Sequence, residues 1–248
     1  MYCLINWQKS LDMRRPIQTT TREIVKHFPF VLIALLFCIF VFLNGGIVLG
    51  DRNAHKPVLH LPQLFYFSSF ILFTSLPILG SNIVKNNDRS PFYQIATHKF
   101  TSLLILIFSL VCVKYFTYSH PYLLADNRHF TFYLWRRWFM RNWFNKYLNT
   151  MVYLISFWHL YNSMKPPIFY KILFLFSTAL TIVPAELLEI RYFIVPYAIW
   201  RINVYTRNQL VLCEIGMNLL VNFVVLYLFF ERPFKWGNEP DAQQRFMW

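Results

Sequence analysis

The run from Phe28 to Gly50, 23 residues without a charge, constrains this chain more than any other feature. As a helix rising ~1.5 Å per residue, it crosses the ~30 Å hydrocarbon core of a bilayer with length to spare. Further apolar runs follow at about 58–80, 100–118, 146–164, 168–183 and 210–230. Only 14% of the 248 residues are charged, against about 25% in an ordinary soluble domain. The expectation is an all-α polytopic membrane protein with about six transmembrane helices. They form one transmembrane domain, 28–230, between a basic segment, 1–27, and a tail, 231–248. Six crossings put both ends on one side, and weak positive-inside bias makes that side cytoplasmic. The tail, ERPFKWGNEPDAQQRFMW, reads as polar and without structure. Residues 1–27 lack the apolar core of about 7–15 residues that a signal peptide needs.

The net charge of +13 raises the question of a polyanionic partner. No nucleic-acid motif accompanies it, and the cations fall in loops beside lipid headgroups, so membrane lipids are the expected anions. Loops on the side of the termini carry 13 basic residues and the other loops 11, six of them between Lys114 and Lys146. A translocated loop that keeps so many cations against topological bias has a use for them, and a lipid phosphate is the natural partner. None of the four cysteines forms a CxxC or a Cys/His cluster, which argues against a zinc site or a disulfide framework. There is no P-loop, GxGxxG, GxSxG or HExxH, so nucleotide-driven transport has no support.

Three polar clusters stand out. In the loop 119–146, Asp126, Asn127, Arg128 and His129 are consecutive, and Arg136 and Arg137 follow among aromatics. Ionisable groups gathered at a membrane surface point to a site; the plainer alternative is an interfacial helix with snorkelling arginines. The segment 183–201 carries Glu186, Glu189 and Arg191 in apolar surroundings. A helix there puts the two carboxylates on one face, and a structural pair of Glu189 with Arg191 or Arg201 is the alternative. Asp51 and Arg52 follow a glycine-rich end of the first span, where helix packing and an interfacial ion pair are the plainer readings. His60 and Gln63 open the second span, and residues 81–99 read as a turn loop.

Taken together, NGGIVLGDR (44–52), HLPQLFY (60–66), SHPYLLADNRHFTFYLWRR (119–137), VPAELLEIRYFIVPY (183–197) and the terminal QRFMW resemble one enzyme family. It is the family of endoplasmic-reticulum α-1,2-glucosyltransferases that add the last glucose to the lipid-linked oligosaccharide. The resemblance covers nearly all the chain from residue 28 onward. It implies a multi-pass membrane protein of the polyprenyl-phosphate-dependent, GT-C type, with its site facing the lumen and interfacial helices in the lumenal loops. The implied donor is dolichyl-phosphate glucose and the acceptor a dolichyl-pyrophosphate-linked oligosaccharide. Transfer would be inverting, without cofactor or metal.

Carried onto this sequence, the resemblance makes Arg128, His129, Arg136 and Arg137 candidates for holding the donor phosphate. Asp126 and Asn127 would orient sugar hydroxyls, or orient Arg128. Glu189 and Arg191 would form a second lumenal cluster, and Asp51 and Arg52 lie beside the first matching motif. Asp126 is the best candidate base within the chain. The family's usual base is expected in an acidic lumenal loop of an N-terminal half that residues 1–27 do not match, so this chain resembles the C-terminal half. Two other classes remain open at this point: a non-catalytic lipid-phosphate-binding membrane protein, and a small transporter.

Overall fold

The computed structural model describes residues 18–47, 57–85, 88–204, 206–237 and 239–247. The chain divides into two compact units, residues 1–56 with 167–174, and 57–166 with 175–248. Asp51 and Arg52 lie outside the described residues.

The first unit is dominated by helix α1, Gln18–Asn44. Its apolar part, Val25–Asn44, is long enough to cross a membrane, and none of it is covered by protein. A helix that is apolar all round and uncovered suits a lipid solvent. The helix ends at Asn44, short of the expected Gly50, because Gly45 takes a left-handed φ of 70°. There the Asn44 side-chain amide donates to the Gly46 carbonyl at 2.7 Å. Glycine accepts that backbone conformation without a Cβ penalty, which is why helices so often stop on it.

In the second unit two helix pairs are sharply bent. The 58–80 run is two helices, α2 (Pro62–Thr74) and α3 (Leu76–Val84), bent by 76°. Pro77 enters just inside α3 and disfavours helical continuation through the residue before it. At the break, buried Ser75 shares a hydrogen bond with His159 Nε2 at 2.9 Å. Residues 81–99 are not a simple turn loop. They include α4 (Pro91–Thr97), which meets α5 (Lys99–Tyr115) at 107°.

Two short helices follow, α6 (Pro121–Ala125) and α7 (Phe130–Leu134), and α7 runs on into a π-helical turn at Trp135–Phe139. Helix α8 (Asn145–Ser163) is the centre of the unit and packs against α2, α4 and α5. It has the length of a span, but it buries Asn145, Thr150, Ser156, His159 and Ser163 rather than a purely apolar face. Helix α9 (Ile168–Ile182) leads to a non-helical stretch and a 3₁₀ turn, Ile190–Phe193. Helix α10 (Ile194–Ile202) and the long α11 (Asn208–Glu231) come next.

The tail is an antiparallel hairpin of β1 (Phe234–Trp236) and β2 (Glu239–Gln244), where no structure was expected. Its register pairs Phe234 with Gln244 and Lys235 with Gln243. Among the described residues, two helices are long and apolar enough to cross a membrane, Val25–Asn44 and Asn208–Glu231. The number rises to four if each bent pair is one crossing.

Candidate active site

The segment after α9 does not form the helix that would have aligned Glu186 with Glu189. Pro184 ends α9, and the start of the second apolar run captures the next backbone groups instead. Val58 N donates to the Pro184 carbonyl at 3.1 Å, and His60 N to that of Val183 at 3.0 Å. The His60 Nδ1–H donates to Glu186 O at 3.1 Å. The Gln63 amide nitrogen donates to both Ala185 O (3.1 Å) and Leu187 O (3.0 Å). Glu189 is accordingly extended, at φ −127° and ψ 132°. The HLPQ motif thus acts as a brace: two fully buried side chains hold 185–187 away from helical geometry. Sequence reading noted His60 and Gln63 only as polar residues near a span start. Their signal was a pair of polar side chains three residues apart at the start of an apolar run, which must find partners when buried.

The braced segment faces the polar loop. Tyr122, Leu123, Ala125, Asp126 and His129–Thr131 from the loop enclose a cavity of about 230 Å³ together with Leu187–Arg191. Two clusters about 60 residues apart in sequence therefore share one cavity, and Asp126, His129, Glu189 and Arg191 all line it.

Each carboxylate there is gripped by an arginine two residues on. Arg128 Nε reaches Asp126 Oδ1 at 2.9 Å and its Nη2 reaches Oδ2 at 2.7 Å, while the Arg128 backbone N–H donates to Oδ1 at 3.0 Å. Arg191 holds Glu189 in the same forked way, at 2.9 and 2.8 Å. Planar guanidinium and planar carboxylate match in two parallel bonds, which fixes orientation as well as charge. The forked contact lowers the Asp126 pKa below the ordinary carboxylate value and raises that of Arg128. The Glu189 contact likewise raises that of Arg191. His129 Nε2 lies 3.6 Å from Asp126 Oδ2. Arg191 is 69% exposed at its side chain while its partner Glu189 is 22% exposed, so this guanidinium is open to a ligand.

The other described candidates, Arg128, Asn127, Arg136 and Arg137, do not line the cavity. Asn127 turns its amide oxygen to the Trp236 indole N–H, 2.6 Å away. Arg136 and Arg137 are exposed on the π-helical turn and lie over the Phe132 and Tyr133 rings at 5.6 and 5.2 Å. Arg201 is not a partner of Glu189. Its Nη2 pairs with buried Glu214 at 2.8 Å, and the Tyr197 hydroxyl donates to the same carboxylate at 3.1 Å. Among the described residues, no three His, Cys, Asp or Glu side chains gather as metal ligands would.

Residues 3–202 match the DIE2/ALG10 family. The chain belongs to the DIE2/ALG10 family. A human Dol-P-Glc:Glc(2)Man(9)GlcNAc(2)-PP-Dol alpha-1,2-glucosyltransferase is 44% identical over 89% of this chain and 46% of its own length. Proteins of the same name from Drosophila melanogaster and Arabidopsis thaliana are 40% identical over 87% of the chain and 34% over 92%. These alignments cover 47% and 46% of those two relatives, so the chain spans about half the length of the curated relatives it matches. No solved structure matches it.

Proposed function

We propose that this chain carries the donor side of an α-1,2-glucosyltransferase site. The site would take glucose from dolichyl-phosphate glucose and pass it to a dolichyl-pyrophosphate-linked oligosaccharide. The arrangement would be GT-C-like and multi-pass in the endoplasmic reticulum membrane, with the cavity facing the lumen. The observation that carries this reading is the shared cavity, lined by Asp126 and His129 from one sequence motif and by the forked Glu189–Arg191 pair from another, with Arg128 gripping Asp126.

In the reaction, an acceptor hydroxyl attacks the anomeric carbon of the donor glucose from the face opposite the phosphate. The bond from that carbon to the phosphate oxygen breaks, and dolichyl phosphate leaves with the electron pair. The leaving phosphate needs positive charge more than a proton, and guanidinium groups bind its oxygens in pairs. Arg191 suits this role because it lines the cavity and is exposed. His129 lines the same cavity, and Asp126, also in its lining, holds Arg128 in place. Glu189 keeps Arg191 forward until phosphate replaces it. The Arg128 contact that lowers the Asp126 pKa makes that carboxylate a weak base, so the acceptor's proton goes to another group.

The test is a microsomal assay of the complete protein with dolichyl-phosphate glucose and an acceptor carrying two glucoses. Removing one charge-stabilising donor of this kind costs roughly 10²–10³ in rate. Arg191→Ala and Arg128→Ala should each lower transfer by about that much at unchanged protein level. Normal transfer by both variants would refute the phosphate-holding role.

A further inference from the structure

The C-terminal hairpin lies on the polar loop. Trp236 donates its indole N–H to the Asn127 amide oxygen at 2.6 Å, and the Arg128 guanidinium lies over the Trp236 ring at 5.2 Å. Beyond β2, Met247 N donates to the Arg128 carbonyl at 2.7 Å, and Met247 pairs with His129 in a parallel bridge. Glu239 adds electrostatic attraction on the same guanidinium. The Phe246 ring lies 6.1 Å from that of Tyr133. At its other end the tail is fixed to α11, where Arg245 Nη1 donates to the carbonyls of Phe229 (2.8 Å) and Phe230 (3.3 Å). A cation on those last carbonyls satisfies orphan acceptors at the negative end of the helix dipole.

This contact conflicts with a tail on the opposite side of the membrane from the loop, and the chain path supplies the reason. The end of the unit away from the cavity is marked by a second cavity. It is lined by Ser81, Lys85 and Arg89 near the end of α3, Ser163 at the end of α8, Val204 after α10, and Arg207 before α11. Lys165 N also donates to Asn203 O there, at 3.1 Å. Starting from His60 beside the first cavity, the chain therefore travels away through α2 and α3, back through α4 and α5, and away again through α8. It is back at the cavity end by Val183, whose carbonyl accepts from His60 N, leaves through Ile190–Ile202, and returns through α11. Ile190–Ile202 lies between the expected fifth and sixth spans and was not counted among the six crossings. Counting it brings Glu231 and the tail back to the end that holds Asp126.

We propose that the hairpin of β1 and β2 docks on the lumenal side against the loop that carries Asp126 and His129, and that Trp236, through its contacts with Arg128 and Asn127, positions Arg128 for the donor phosphate. The ring face accepts the guanidinium, the indole N–H turns Asn127, and the forked bond to Asp126 holds the other edge of Arg128. The guanidinium is thus fixed in plane and direction before substrate arrives, which is what a phosphate-holding group requires. The positioning role rests on the function proposed above; the sidedness does not.

Two arms in the complete protein test it. In the first, His129→Cys and Met247→Cys are combined in cells. Disulfides form in oxidising compartments, and bridged residues of paired backbone lie within the reach of one. A linked peptide between positions 129 and 247 is the expected result. Cysteines that remain free, with position 247 labelled only from the cytoplasmic side, would overturn the docking. In the second arm, Trp236→Phe keeps a ring and loses the N–H, while Trp236→Ala loses both. The expected result is a donor KM raised about threefold and about tenfold, with kcat less affected and the melting temperature retained. Unchanged donor KM in both variants would overturn the positioning role. An unaltered protein that transfers no glucose would instead sink the proposed function, and the disulfide arm would still decide where the tail lies.

Discussion

The Gln63 amide nitrogen sits 3.0 Å from the Leu187 carbonyl oxygen and also donates to Ala185, 3.1 Å away. One side chain from the start of α2 thus sets the backbone of the segment that carries Glu189 and Arg191. Replacing it with leucine leaves two carbonyls without their donor in a site where Gln63 is fully buried. An unmet buried acceptor costs about 1–3 kcal/mol. Gln63→Leu should therefore lower the melting temperature in detergent by several degrees and raise proteolysis at 185–191. Gln63→Glu, which has the same shape and no N–H, should do no better. An unchanged melting temperature in both would remove the brace from this account.

The Arg201–Glu214 pair, with Glu214 buried and Arg201 half-buried, is a structural device, and its forked bonds with the added Tyr197 hydroxyl explain why two charges survive between α10 and α11. Taking away one partner strands the other, which costs about 3–5 kcal/mol. Glu214→Ala and Arg201→Ala should each sharply reduce the yield of folded protein. Replacing both with apolar residues of similar volume should recover much of that yield, since a buried pair is often no better than well-packed hydrophobes. Recovery of folded protein on size-exclusion chromatography is the measurement.

Much of the site was legible because its chemistry is local. Asp126 and Arg128, or Glu189 and Arg191, are close enough in sequence that their charges stood out against an apolar background. The joining of the two clusters was not legible, because it depends on Gln63 and His60 capturing carbonyls more than 120 residues away. The pattern for 183–201 suggested a helix because Glu186 and Glu189 have helical spacing, yet tertiary hydrogen bonds outweighed local propensity, as buried polar groups compel. The tail failed for a related reason. Its sequence is polar, and the partner that orders Trp236 is Asn127 on another element. Helix α9 and the long α11 were readable nearly to the residue, since a long, mostly apolar run defines its own extent.

Arg136 and Arg137 were expected to hold phosphate with Arg128, and the structure sets them on an exposed turn over Phe132 and Tyr133. A cation near an anionic leaflet gains about 1 kcal/mol from its headgroups. Replacing both with alanine should leave the donor KM within about twofold, because exposed charges of this kind contribute little to a distant contact. Binding of the purified protein to vesicles containing anionic lipid should weaken, and more so at low salt. A tenfold rise in donor KM would return these arginines to the site.

The last prediction separates Asp126 as a holder of Arg128 from Asp126 as a base. Its carboxyl is held below the usual range by the Arg128 guanidinium. A depressed folded pKa means that the pair's contribution is complete above the unfolded value of about 3.9. It is lost only as pH falls through the lower, folded value. Hydrogen-exchange protection of 122–131 should therefore stay level from pH 8 to pH 5 and fall below about pH 4. Asp126→Asn should remove that acid dependence and lower protection at neutral pH, because the neutral amide cannot accept both guanidinium bonds. In the transfer assay the same variant should lose about tenfold, mostly through donor KM, as a disturbed positioning bond does. A general base contributes typically 10²–10⁴-fold to the chemical step. A loss of that size confined to kcat would make Asp126 the proton acceptor and not the residue that holds Arg128.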